Sequence, residues 1–201
     1  VRRTNKMVPA MWDITLSEDN VLVLDRPACR IGTPTWRKPE EVLRVDRVVR
    51  EALGVSARGG HMVQPWARKK QKLQPSIDVG LRYAFEAKAL PSGSLFLALE
   101  RPETFDIHVN GVSVSRDTQC GWWCDKALRK IPIDPSLIRL GTNEIVLSCR
   151  YDEGHSGLEI MYLLGAFGAA AQGSDVVMTH APLKLRTGDW VKQGLAFYAG
   201  N

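Results

Sequence analysis

No stretch of this chain approaches the run of about 20 apolar residues that a membrane-spanning helix needs. The opening Val1-Arg2-Arg3 is not followed by the apolar core and small-residue site of a secretion leader. Leu195 to Asn201 reads as an apolar strand that stops, so both ends have the look of cuts in a longer protein. Cysteine is scarce, at four in 201 residues, and Cys29, Cys120, Cys124 and Cys149 lack the paired C-x-x-C spacing of a zinc site. Cys120 and Cys124 straddle Gly121-Trp122-Trp123, where a disulfide is one reading and buried free thiols the favoured one. The compartment stays open on this count.

Several chemistries are missing as well. His61, His108, His155 and His180 have no metal-ligand spacing, and no Ser, His and Asp triad can be assembled. Gly165 and Gly168 stand outside any G-x-G-x-x-G context, which leaves nucleotide binding unsupported. The net charge of +5 is mild, and the one dense basic run, Arg68, Lys69, Lys70 and Lys72, lies between Pro65 and Pro75. It reads as a solvated loop, with no nucleic-acid motif beside it.

What is present is β patterning. Ile77, Val79, Leu81, Tyr83 and Phe85 alternate with Asp78, Gly80, Arg82, Ala84 and Glu86, predicting a strand with one buried face. Leu95 to Leu99 is a nearly continuous apolar run, as for a strand covered on both sides. Phe105, Ile107 and Val109 alternate up to Asn110-Gly111, a hairpin signal leading into Val112 to Val114. Further strands are expected at 131–133, 144–149, 158–164, 176–178 and 183–185, a spacing that suits a sandwich or barrel. Asp134, before Pro135, is set to cap a short helical turn.

The first 75 residues differ in texture. Short strands are expected at Ile14 and Leu16 and at Val21 to Leu24, then a helix from about Val45 to Leu53, where Val45, Val48, Val49, Ala52 and Leu53 share a face and Gly54 ends it. Residues 56–75, rich in Gly, Pro and basic side chains, read as a link into the sandwich. The expected organisation is an N-terminal extension over 1–75 and a β-sandwich module over 76–201.

The run Phe105 to Val112, then Gly121-Trp122-Trp123, then Ile133 to Leu147 resembles the galactose-binding-like jelly-roll module of glycoside hydrolase family 2. The segments Gly121 to Asp125, Leu158 to Gly168, Gln193 to Gly200 and Gln64-Pro65-Trp66 are similar to large hydrolases near that family and the α-L-rhamnosidases. The resemblance implies an all-β jelly roll acting as an accessory or carbohydrate-recognition domain. Its implied partners are an oligosaccharide or polysaccharide and a catalytic domain of the same parent chain, not nucleic acid or membrane. An extracellular or periplasmic parent would fit. Catalysis is expected on a separate barrel, since 201 residues cannot hold eight βα units as well as a sandwich.

Glycoside hydrolysis needs two opposed carboxylates. Of Asp125, Asp134, Glu144, Asp152, Glu153 and Glu159, Asp134 is better explained as a cap and Glu144 as a strand-edge residue. Glu159 interrupts an apolar strand and is read as structural, so no catalytic residue is assigned. Sugar binding stacks aromatic faces on pyranose C–H faces, with polar groups fixing the hydroxyls. The candidates are Trp122 and Trp123, adjacent and so pointing to opposite sides of an extended segment, with Asp125, Trp190 and Tyr198. The opposing reading has these aromatics sealing the sandwich or its contact with missing domains, and predicts an exposed apolar patch near the chain ends. Asp152 and Glu153, in the polar loop to Ser156, are weak candidates for a structural calcium, supplying only part of the about six to eight oxygens it takes.

Overall fold

The computed structural model describes residues 9–57 and 75–200. Gln64 to Trp66 and the basic run at 68–72 lie outside them. The chain is mostly β, with one helix longer than a single turn. Fourteen strands follow in order: β1 Met11–Asp13, β2 Asn20–Leu24, β3 Ala28–Ile31, then helix α1 Val42–Leu53, β4 Ser76–Ala87, β5 Ser92–Glu100, β6 Asp106–Val109 and β7 Val112–Val114. After these come β8 Trp122–Trp123, β9 Asp125–Ile133, β10 Gly141–Asp152, β11 Met161–Ala166, β12 Gly168–Gln172, β13 Asp175–Thr179 and β14 Lys184–Arg186.

Two main sheets enclose one core. The larger runs β12-β13-β4-β10-β6-β7, with β3 also pairing with β4; the smaller runs β2-β11-β5-β9-β8. The spine of the larger sheet is the antiparallel β4–β10 ladder, in register from Ala87 opposite Gly141 to Ser76 opposite Asp152. The period-two expectation holds here: Val79, Leu81, Tyr83 and Phe85 are buried and meet Leu95, Leu97, Leu99, Ile131, Ile133 and Leu163 from the smaller sheet. Leu95 to Leu99 is covered on both sides as expected, because Ala98 is buried on the outer face.

The turn motifs of the resemblance have a structural cause. Asn110 and Gly111 both take positive φ, 48° and 84°, as a two-residue hairpin turn requires. Asn110 Nδ2 donates to Leu137 O at 2.7 Å and to Asn143 Oδ1 at 2.8 Å, while its Oδ1 accepts from Glu144 N at 2.9 Å. Asn143, fully buried, donates back to Arg139 O and Gly141 O. The two asparagines therefore lock the β6–β7 hairpin to the entry of β10. Asp134 Oδ1 accepts from Ser136 N at 2.9 Å, so it caps the 3₁₀ turn as expected.

Strands from both expected segments share the same sheets: β2 pairs with β11 and β3 with β4, while β1 pairs with β14 in a two-stranded sheet. The helix begins earlier than its periodicity predicts, at Val42, and ends where expected, with Gly54 at φ 69°. Ile14 and Leu16 lie just past β1 rather than in a strand, and Leu158 to Ile160 precede β11. β3, β8 and β12 are additions, each too short or too small-residue-rich to announce itself by alternation.

Candidate functional site

An apolar concavity forms where the first and last described strands meet. In the β1–β14 pair Trp12 stands opposite Leu185. Beyond β14 the chain passes Trp190 and a 3₁₀ turn at Val191–Gln193 before Leu195 bridges to Ala169 of β12. Two amides hold this path. Gln193 accepts from Arg186 N at 2.8 Å and donates to Arg186 O at 3.1 Å and Asp189 O at 3.2 Å, which clamps the loop that carries Trp190. Asn20, only 1% exposed, donates to Phe167 O and Gly194 O.

The resulting pocket of about 930 Å³ is walled by Trp12, Ile14, Leu16, Leu185, Trp190 and Tyr198. Trp12 is 46% and Trp190 59% exposed, so both indoles are reachable from solvent. The Tyr198 phenol lies 3.3 Å from Ser17 Oγ, and the chain passes close against that phenol at Gly200, where a Cβ would push the ring aside. Among the described residues Asp189 is the one carboxylate in the lining, and it accepts from Val191 N at 3.1 Å and pairs with Lys192 at 3.5 Å. Val191 of the lining is exposed, and so are Met11 and Leu183 in and beside the β1–β14 pair.

A second locus lies on the smaller sheet. Trp122 and Trp123 diverge as their adjacency dictates: Trp122 is exposed on the edge strand, whereas Trp123 is half-buried with its ring centroid 4.9 Å from that of Tyr162. The Trp123 indole N–H is shielded and has no acceptor among the described residues, an orphaned donor that costs about 1–3 kcal/mol. Asp125 opens β9 and accepts from Ala127 N at 2.7 Å. With Glu100, Glu159, Leu128, Ile160 and Tyr162 it lines a groove of about 330 Å³.

The polar loop after β10 serves the helix. Asp46 and Arg50 of α1 are buried, at 3% and 2% exposure, and pair at 3.1 Å. Asp46 Oδ1 also accepts from Tyr151 Oη at 2.6 Å and Leu158 N at 2.9 Å, and Arg50 donates to Ser56 O and His155 O. His155 stacks on Tyr151 at 4.4 Å and accepts from Gly157 N through Nδ1, which places its proton on Nε2. Burial lowers its pKa below the usual 6.5, against the nearby carboxylates of Asp46 and Asp152. Asp152 Oδ1 is taken up by Gly154 N at 2.7 Å. Among the described residues no three His, Cys, Asp or Glu, Asp152 and Glu153 included, are placed together to hold a metal.

The structure thus divides the expected sugar-site residues. Trp190 and Tyr198 line the pocket, Trp123 and Asp125 belong to the sheet-face locus, and Trp122 stands at the sheet edge. Trp12 escaped the sequence reading, because its partner strand lies more than 170 positions away. Alternation of Trp12, Ile14 and Leu16 was the available signal. The cysteines are all free, but Cys120 and Cys124 are exposed rather than buried: Cys120 N bonds to Lys130 O, while Cys124 sits in the β8–β9 turn. No protein-family model matches the chain, and no curated protein matches it in sequence.

Proposed function

We propose that this chain is a non-catalytic carbohydrate-recognition module, of jelly-roll type, within a larger glycoside hydrolase-like protein. The observation that carries the reading is the pocket of Trp12, Trp190 and Tyr198, three aromatic side chains on one concavity, two of them well exposed. Such faces stack on the C–H side of a pyranose, and the Gln193 clamp fixes the loop beforehand, which reduces the ordering cost of binding. Asp189 is already engaged by Val191 and Lys192, and the aromatic lining suits binding of a sugar. The test is titration with a panel of plant and microbial oligosaccharides while following tryptophan fluorescence. A saturable change that disappears in Trp190→Ala is expected; a panel without any saturable change overturns the reading.

A second reading rests on exposed apolar groups. Met11 at 45%, Leu183 at 76% and Val191 at 54% exposure are apolar side chains left open in and beside the β1–β14 pair and the loop after it, which suits contact with a neighbouring domain of the same parent protein. Under it, the isolated chain self-associates through these side chains, and Leu183→Ser reduces the association without touching any sugar response.

A further inference from the structure

The loop that follows β10 is folded around one imidazole. His155 N donates to Asp152 O at 3.2 Å and Gly154 N to Asp152 Oδ1 at 2.7 Å, so the chain turns back on itself at once. The turn carries His155 inward, to 8% exposure, with its ring stacked on Tyr151 and edge-on to Phe105 at 5.6 Å. Its carbonyl accepts from Arg50 of α1 at 3.3 Å, so the loop and the last turns of the helix hold one another. Arg50 also donates to Ser56 O, which ties the chain leaving the helix to the same cluster.

The ring fits this place as a neutral base. Gly157 N donates to its Nδ1 at 3.1 Å, and Gly157 takes a φ of 115° to bring that donor against the ring. A proton on Nδ1 would set two N–H groups head to head. The charged groups facing the ring are Asp46 and Arg50 from α1, Asp152 from the end of β10 and Arg101 from the segment after β5. Asp46 already accepts three hydrogen bonds, from Arg50 Nε, Tyr151 Oη and Leu158 N, and Asp152 Oδ1 is taken by Gly154 N. Arg50 and Arg101 repel an imidazolium. Burial outweighs the two carboxylates and holds the pKa below the usual 6.5, so the strain of protonation is met only on the acid side of that value.

We propose that His155 is an acid-operated latch: its protonation expels the 153–157 loop from the cluster and loosens the end of α1 against β10, while the sandwich stays folded. An expelled imidazolium regains water, and Gly157 N is released from facing it. Opening stops there, because α1 keeps Val42, Val45 and Val49 in the core and the β4–β10 ladder does not pass through the loop. It uncovers the parts of Tyr151 and Phe105 that the His155 ring covers when closed. The inference stands apart from the Trp12–Trp190 pocket and does not need it.

NMR of the whole chain between pH 7.5 and pH 4.5 tests the latch, with imidazole and amide signals followed together. The His155 ring is expected to titrate below 6.5 in the folded protein. The amide signals of His155 and Gly157 should move with the same midpoint and lose about tenfold in protection from hydrogen exchange, while the β4–β10 ladder signals keep their positions. In His155→Phe, which keeps an aromatic ring and cannot titrate, the loop signals should not move over this range. Should that variant fail to fold, the matching midpoints in wild type decide alone. A His155 ring that titrates while the Gly157 amide stays in place overturns the proposal, as does an equal movement of the loop in His155→Phe. So does a ring that stays neutral until the sandwich unfolds, or loss of loop and ladder signals together.

Discussion

The carboxylate of Asp46 on α1 accepts a 2.6 Å hydrogen bond from the phenol of Tyr151 on β10, 105 residues further along the chain. Helix and sheet are joined by this contact inside a buried cluster that also holds Arg50 and His155. Removing Asp46 strands a buried guanidinium, and breaking such a pair costs about 3–5 kcal/mol. Asp46→Ala is therefore expected to lower unfolding free energy by that amount in urea. Asp46→Leu with Arg50→Met should lose much less, because it leaves no unpaired buried charge.

The same cluster sets a pH dependence. His155 has its folded pKa depressed by burial, so the unfolded chain takes up the proton more readily than the native one. Its contribution is fully present above the unfolded value near 6.5 and falls away as pH drops from there through the folded value. Melting temperatures measured from pH 7.5 to pH 5 should decline more steeply in wild type than in His155→Phe, which cannot titrate. Parallel curves would show that His155 has no part in the decline.

The asparagine lock predicts a purely structural effect. Asn143→Ala orphans Arg139 N and one donor of Asn110, each worth about 1–3 kcal/mol when shielded. A loss of at least about 2 kcal/mol in denaturant is expected, with sugar binding intact at temperatures where the variant stays folded. A loss of binding without loss of stability would instead place Asn143 in a ligand site.

Thiol reactivity separates the four cysteines. Cys120 and Cys124 are exposed and should react with an aromatic disulfide reagent in the native state. Cys29 is buried, and burial with Asp78 and Asp106 nearby pushes the Cys149 thiol up to about 12, so neither should react until the chain unfolds. Two fast and two protected thiols are expected. Four fast ones would contradict the burial described.

Much of the sandwich was legible because burial on one face imposes a period of two. Val79 to Phe85 and Phe105 to Val109 could be assigned from alternation, and Asn110-Gly111 from turn chemistry. What escaped depended on pairing across long separations. β3 is four residues, Ala28 to Ile31, and becomes a strand only because β4 offers it an edge. The site was half visible for a similar reason. Residue type singled out Trp190 and Tyr198, but Trp12 joins them only through β1–β14 pairing, and Trp123 is separated from them by belonging to the other sheet's face. In the turn motifs carrying the family resemblance, Asn110, Asp134 and Asn143 bond to backbone, and the two asparagines also to each other.

On the proposed reading Trp12 and Trp190 form a sugar-binding wall. The tightest oligosaccharide from the panel is titrated by calorimetry into wild type and into Trp12→Ala/Trp190→Ala. At least a tenfold rise in Kd, about 1.4 kcal/mol, is expected, with the melting temperature nearly unchanged because both indoles are exposed. Equal affinity of the two proteins would contradict it.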